Sequence, residues 1–190
     1  LKSEKTEVAD LEFEEIDDAF LSDWGVSYRT IMQVLYACYL LAMRYKHSVI
    51  ELPQDEFVDD VIGLCPGLEA EDIEKAMEHI ALKKRADYLT PPDGMDGKEI
   101  FPWIYNRELS YLRRPIIKWY THDGINIVFG FRSCIMAGLQ LTDLLYTGRL
   151  KNVGRKLSKL LGKFESAKGA AFNEDVRKWL KEHTSLKIWE

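Results

Sequence analysis

The chain has 190 residues, 46% of them apolar and 30% charged, and a formal net charge of −5. That length holds one large domain or two small ones and buries a core without disulfides or metals. Nine Tyr, eight Phe and five Trp exclude global disorder.

The three cysteines, Cys38, Cys65 and Cys134, form no CxxC pair, which excludes a zinc ribbon or a disulfide framework. Each sits among apolar neighbours and is expected to be a buried thiol in a reducing compartment. The longest apolar stretch, Ile31 to Met43, is broken by Gln33 and falls short of the roughly 20 residues a membrane span needs. With an acidic N-terminus and no signal-peptide pattern, the expectation is a cytoplasmic location and no membrane partner. The first residue is Leu, so the chain reads as a piece of a longer protein.

Charge is unevenly placed. Residues 1–100 hold 10 basic and 23 acidic side chains, whereas residues 101–190 hold 16 basic and 8 acidic. Either the two halves attract each other within the fold, or the basic half meets a polyanion.

In chain order, Leu11 to Trp24 reads as an acidic helix with Leu11, Ile16, Phe20 and Trp24 near one face, stopped by Gly25. Ser27 is the expected N-cap of a central helix over about 28–46, with Ile31, Leu35, Cys38 and Ala42 at spacings of three and four. A short strand at Val49–Leu52 ends at Pro53. A helix over Asp55–Ile62, a turn at Cys65-Pro66-Gly67 and a helix over about 69–82 follow. With a hairpin through Tyr88 and Ile100, this order suggests a winged-helix-like part over 28–90. Residues 53–80 carry nine acids and one base, Lys75, so a helix from this part would repel DNA phosphates. A protein-contact version of that arrangement is the expectation.

The Pro-, Gly- and Asp-rich stretch Thr90 to Lys98 is the expected boundary, separating an acidic helical region (1–92) from a hairpin and basic helical region (99–190). Pro115–Thr121 and Ile125–Phe129 read as strands joined by the two-residue turn Asp123-Gly124. A helix over 131–146 follows, with Ile135, Leu139, Leu141, Leu144 and Leu145 expected inward and Gly148 ending it. Two further helices are expected, about 152–167 and 169–183, the second with Phe172, Val176, Trp179 and Leu180 inward. Leu186–Trp189 reads as a strand, and 168–190 as the start of a further domain. The fold class is therefore mainly α: a multi-helical domain with a small β-hairpin.

No complete catalytic motif is present. There is no GxSxG, no GxxxxGK[ST] and no GxGxxG. His47, His79, His122 and His183 have no partners at metal-face spacing, so no cofactor and no metal are expected. Adjacent acids such as Asp59-Asp60 point apart on a helix and read as solvated faces.

Two basic features are candidates for binding. In Phe101–Pro115 aromatic residues interleave with Arg107, Arg113 and Arg114, a mixture that stacks bases and holds phosphates or else anchors a loop. Arg155, Lys159 and Lys163 recur every four residues, with Arg149 just before them, as an exposed stripe opposite Leu157, Leu160, Leu161 and Phe164. That stripe is solvated, faces nucleic acid, or meets the acidic half of a neighbouring chain. The candidate nucleic-acid-binding residues are Arg113, Arg114, Arg149, Arg155, Lys159 and Lys163. A protein partner or self-association is the alternative.

The segment Lys168-Gly169-Ala170-Ala171-Phe172-Asn173-Glu174-Asp175-Val176, continuing through Leu180 to Trp189, resembles the opening helix and strand of restriction-endonuclease-like nucleases. The Pro102-Trp103, Asn106-Arg107, Leu109-Ser110 and Leu112-Arg113-Arg114-Pro115 pattern resembles the helical region preceding such a segment in uncharacterised bacterial proteins. The resemblance implies that Glu174 or Asn173 helps hold a metal once a downstream catalytic core supplies its carboxylates and lysine. It also implies that this chain is a non-catalytic module that positions or regulates an adjoining nuclease-like region. The chain itself is then not an enzyme, while the parent protein is a nuclease candidate.

Overall fold

A computed structural model describes residues 2–82, 112–151 and 153–183. The hairpin expected through Tyr88 and Ile100, the boundary at Thr90–Lys98, the aromatic–arginine segment up to Tyr111 and the Leu186–Trp189 strand lie outside the described residues. The protein is mainly α with a small sheet. Its described elements are α1 (Lys2–Trp24), α2 (Tyr28–Tyr45), β1 (Val49–Pro53), α3 (Gln54–Leu64), α4 (Ala70–Ile80), β2 (Ala81–Leu82), β3 (Ile116–Tyr120), β4 (Ile125–Gly130), α5 (Phe131–Tyr146) and α6 (Arg155–His183). Contacts divide the chain into two units: Gly25–Leu141, and Leu1–Trp24 together with Thr142–Glu190.

In the Gly25–Leu141 unit, α2 is the central helix. Its start is set locally: the Ser27 hydroxyl accepts the Thr30 amide at 2.9 Å and so satisfies a donor the helix leaves free. Lys46 ends it in the left-handed region at φ 57°. Ile31, Val34, Ala37, Cys38 and Leu41 are fully buried. The sheet order is β1-β4-β3-β2, with β1–β4 and β3–β4 antiparallel and β2–β3 parallel. The β3–β4 hairpin turns where expected, but Thr121 and Gly124 close it and the two central residues are His122-Asp123 rather than Asp123-Gly124. The Thr121 amide donates to Gly124 O at 2.8 Å, and Gly124 adopts φ 139°, which a side chain would oppose. Pro53, which lacks an amide donor, is tolerated because β1 is an edge strand of the sheet.

The described order α2–β1–α3–α4–β2, followed beyond residues 83–111 by the β3–β4 hairpin whose last strand pairs β1, has a winged-helix-like connectivity, with its hairpin outside the expected 28–90. Phe57 of α3 meets Phe129 of β4 edge-on at 5.6 Å, joining helices to sheet.

The buried face of α5 differs from expectation at Ile135 and Leu139, whereas Leu145 is buried as expected. Ile135 and Leu139 are 39% and 60% exposed, while Cys134 and Ala137 are buried and Gly138 lies against α2. A Cβ at Gly138 would stand 3.1 Å from Met32 Cε. Two faces of this helix carry apolar residues at helical spacing, and the small residues select the one that lets α2 approach closely.

In the other unit α1 packs along α6, and Ile16, Phe20, Leu145 and Leu157 are fully buried. Trp24 sits edge-on to Phe20 at 4.9 Å, and Tyr146 lies 5.1 Å from Phe164. Gly148, at φ 71°, closes α5: the Gly148 amide donates to Leu145 O at 3.1 Å and the Arg149 amide to Leu144 O at 2.9 Å. These are the two bonds of a Schellman cap. The expected pair of helices over 152–167 and 169–183 is one continuous helix, α6. Gly169 does not break it, because a helical glycine costs only about 1 kcal/mol relative to alanine.

Candidate functional site

The basic candidates fall into both units. Arg113 and Arg114 precede β3. The Arg114 guanidinium donates to the backbone carbonyls of Glu78 (3.1 Å) and Ala81 (3.2 Å), at the end of α4 where carbonyls lack intrahelical partners. Arg113 is half-buried. Arg149, Arg155, Lys159 and Lys163 share the unit built on α1 and α6, and all four are exposed. Lys163 pairs with Glu15 of α1. The acidic helix α1 therefore lies against the basic helix α6, and Asp23 also accepts the Leu157 amide at 2.8 Å. Arg155 and Lys159 remain exposed one turn apart.

The helix that a winged-helix DNA reader places in the major groove corresponds to α4. It carries Glu71, Asp72, Glu74 and Glu78 against Lys75 alone. Lys75 is paired with Glu71 at 2.7 Å, which holds the Glu71 carboxyl below its usual range and raises the Lys75 ammonium. Arg44 and Tyr45 of α2 bind Asp60 at 2.8 and 2.9 Å. Bonding to Asp60, then partial burial, pushes the Tyr45 hydroxyl up to about 12. These groups consolidate the acidic surface and leave it acidic.

Asn173 and Glu174 are exposed on α6. Among the described residues no three His, Cys, Asp or Glu side chains converge as a metal site. The three thiols are buried. Desolvation, then a hydrogen bond with Cys134, raises Cys38 well above the usual thiol range, and burial raises Cys65.

The feature that sequence reasoning missed is apolar. Phe172, Val176 and Trp179, expected inward, are 66%, 37% and 56% exposed. The signal was visible as i, i+4, i+7 spacing, but periodicity identifies an apolar face without saying what covers it. Among the described side chains of α6, the buried ones lie in its N-terminal half: Leu157, Leu160 and Leu161.

The described residues form a mainly α protein with a small sheet that presents charged and apolar faces. Over residues 2–190 the chain matches the family described as anti-phage protein Upx-like, and it belongs to that family. Its role is therefore related to defence against phage. No curated protein and no solved structure matches it. Among the described residues, no helix is long and apolar enough to cross a membrane.

Proposed function

We propose that this chain is a non-catalytic helical module of a phage-defence protein that works by binding another polypeptide. The observation that carries this is the exposed Phe172–Val176–Trp179 stripe on a helix held in place by α1. Amphipathic helices engage partners through anchors at this spacing. An adjoining nuclease-like region is one polypeptide that such a module would position. Nucleic-acid contact is less well supported, because Lys163 and Arg114 already have protein partners and α4 is acidic. Exposed Arg149, Arg155 and Lys159 sustain it as the second reading.

One experiment separates the two. Cells carrying the protein are challenged with phage after Phe172→Ser plus Trp179→Ser, or after Arg155→Gln plus Lys159→Gln. The apolar pair is expected to abolish protection while leaving the thermal melt unchanged, and the basic pair to leave protection intact. The reverse result, with duplex-DNA anisotropy showing a log–log salt slope that falls by roughly 0.9 per lost contact, would establish the nucleic-acid reading.

A further inference from the structure

We infer that α5 carries a self-complementary face through which two copies of this chain pair, helix against antiparallel helix. The face is on a different helix from the Phe172–Val176–Trp179 stripe, and the inference does not rest on the polypeptide-binding reading. α5 is one continuous helix, Phe131–Tyr146. Arg132, Met136, Leu139 and Asp143 follow one another at spacings of four, three and four. At about 100° per residue they lie within a sector of about 60°. All four are exposed, Met136 and Leu139 by 51% and 60%. The residues that border the stripe, Ile135 and Thr142 on one side, Ser133 and Gln140 on the other, are uncharged. Arg132 and Asp143 are in fact the only charged residues of this helix. On the Ile135 side stands α2, whose Tyr39 meets Phe131 at 6.4 Å and stacks at 5.8 Å on the exposed Tyr36. Arg44 of α2 is held by Asp60, and Arg29 has an interaction of its own. The Phe131 amide reaches Ser48 O, so Lys46 adds its charge at the Arg132 end. Arg149 comes after the Gly148 cap, past the end of the helix.

Both charges stand where the helix itself disfavours them. An α-helix carries partial positive charge at its N-terminus and partial negative charge at its C-terminus. Arg132 is in the first turn and Asp143 in the last. Among the described residues neither side chain meets an opposite charge. A second copy removes the conflict. Packed antiparallel about a two-fold axis between residues 137 and 138, each Arg132 faces Asp143 of the other copy, and each helix end faces the opposite end of the other dipole. Met136 then packs on Leu139 of the second copy, so apolar contact fills the seam between the charged ends. A parallel pairing would set Arg132 beside Arg132 and Asp143 beside Asp143. The charges thus fix orientation and register, and burial of Met136 and Leu139 supplies the attraction.

The test is sedimentation equilibrium of the whole chain as wild type, Arg132→Glu, Asp143→Arg and the double variant. Wild type is expected to form a dimer. Each single reversal brings like charges together at both ends of the seam and is expected to weaken the dimer at least about tenfold. The double variant restores opposite charges in the same register and should recover dimerisation. Both reversals also agree with the helix dipole, so at concentrations too low for pairing the variants should melt no lower than wild type. That melt separates lost pairing from lost folding. A wild type that sediments as a monomer at every concentration overturns the inference, as does a dimer that ignores the single reversals. A double variant that stays dissociated overturns it as well.

Discussion

The carboxylate of Asp23 caps helix α6 from 134 residues away: its Oδ2 accepts the amide of Leu157 at 2.8 Å. Gly154, which precedes the helix, has no side chain to do this, and Asp23 fills the space where one would be. A Cβ on Gly154 would stand 2.5 Å from Asp23 Cγ. Asp23→Ala should therefore destabilise the α1–α6 unit by about 1 kcal/mol, as loss of an N-cap does. Asp23→Asn, which retains an acceptor, should lose less. Gly154→Ala should destabilise wild type but have a smaller effect in the Asp23→Ala background. Urea unfolding of the four variants as a double-mutant cycle measures that coupling, and strict additivity would refute it.

Continuity of α6 through Gly162 and Gly169 makes a second prediction. Nothing lies within 4 Å of a Cβ at either position, and neither has a positive φ. Gly169→Ala should raise stability by roughly 0.5–1 kcal/mol, because alanine loses less backbone freedom in a helix. If two helices met at 168–169, the same change would give no gain in helicity by circular dichroism.

Arg114 holds two carbonyls at the end of α4. Arg114→Ala should lower the stability of the Gly25–Leu141 unit by roughly 1.5–3 kcal/mol, the usual value of hydrogen bonds that involve a charged group. Arg114→Lys should recover only part, since an ammonium does not reproduce the planar fork. Hydrogen exchange should localise the loss to the last turn of α4 and to β2. Unchanged exchange there would remove the capping role.

Alkaline pH tests the acidic cluster around α2 and α3. Tyr45 donates to Asp60 and Glu56, and its hydroxyl is raised from 10.0 to about 12. A group raised on folding stabilises fully below its unfolded value and loses that contribution as pH climbs. The Tyr45 contribution should thus be complete below about pH 10 and fade toward pH 12. Tyr45→Phe should show a shallower loss of stability across that window than wild type, measured by urea midpoints at fixed pH. Parallel curves would show that Tyr45 ionises as it does when unfolded.

Much of this architecture was legible because its causes are local. The Ser27 cap, the hairpin turn closed by Gly124, the Gly148 stop and the central helix over 28–46 each depend on residues within a few positions of one another. Their chemistry is the same in any context. The acidic character of the helix now seen as α4 was also readable from composition.

Local patterning thus set the identity of the elements and the sign of their charge. Which apolar face each helix buries was decided by tertiary structure. Both faces of α5 satisfy helical spacing, and close approach at Gly138 buries Cys134 and Ala137 while leaving Ile135 and Leu139 in solvent. Phe172, Val176 and Trp179 have the spacing of a core stripe, yet among the described side chains of α6 the buried ones are Leu157, Leu160 and Leu161. The same holds for polar partners. Asp23 on Leu157, Glu15 on Lys163 and Arg114 on Ala81 join residues far apart in the chain. No local pattern encodes such pairs, because the free energy that selects them arises only when distant helices are brought together.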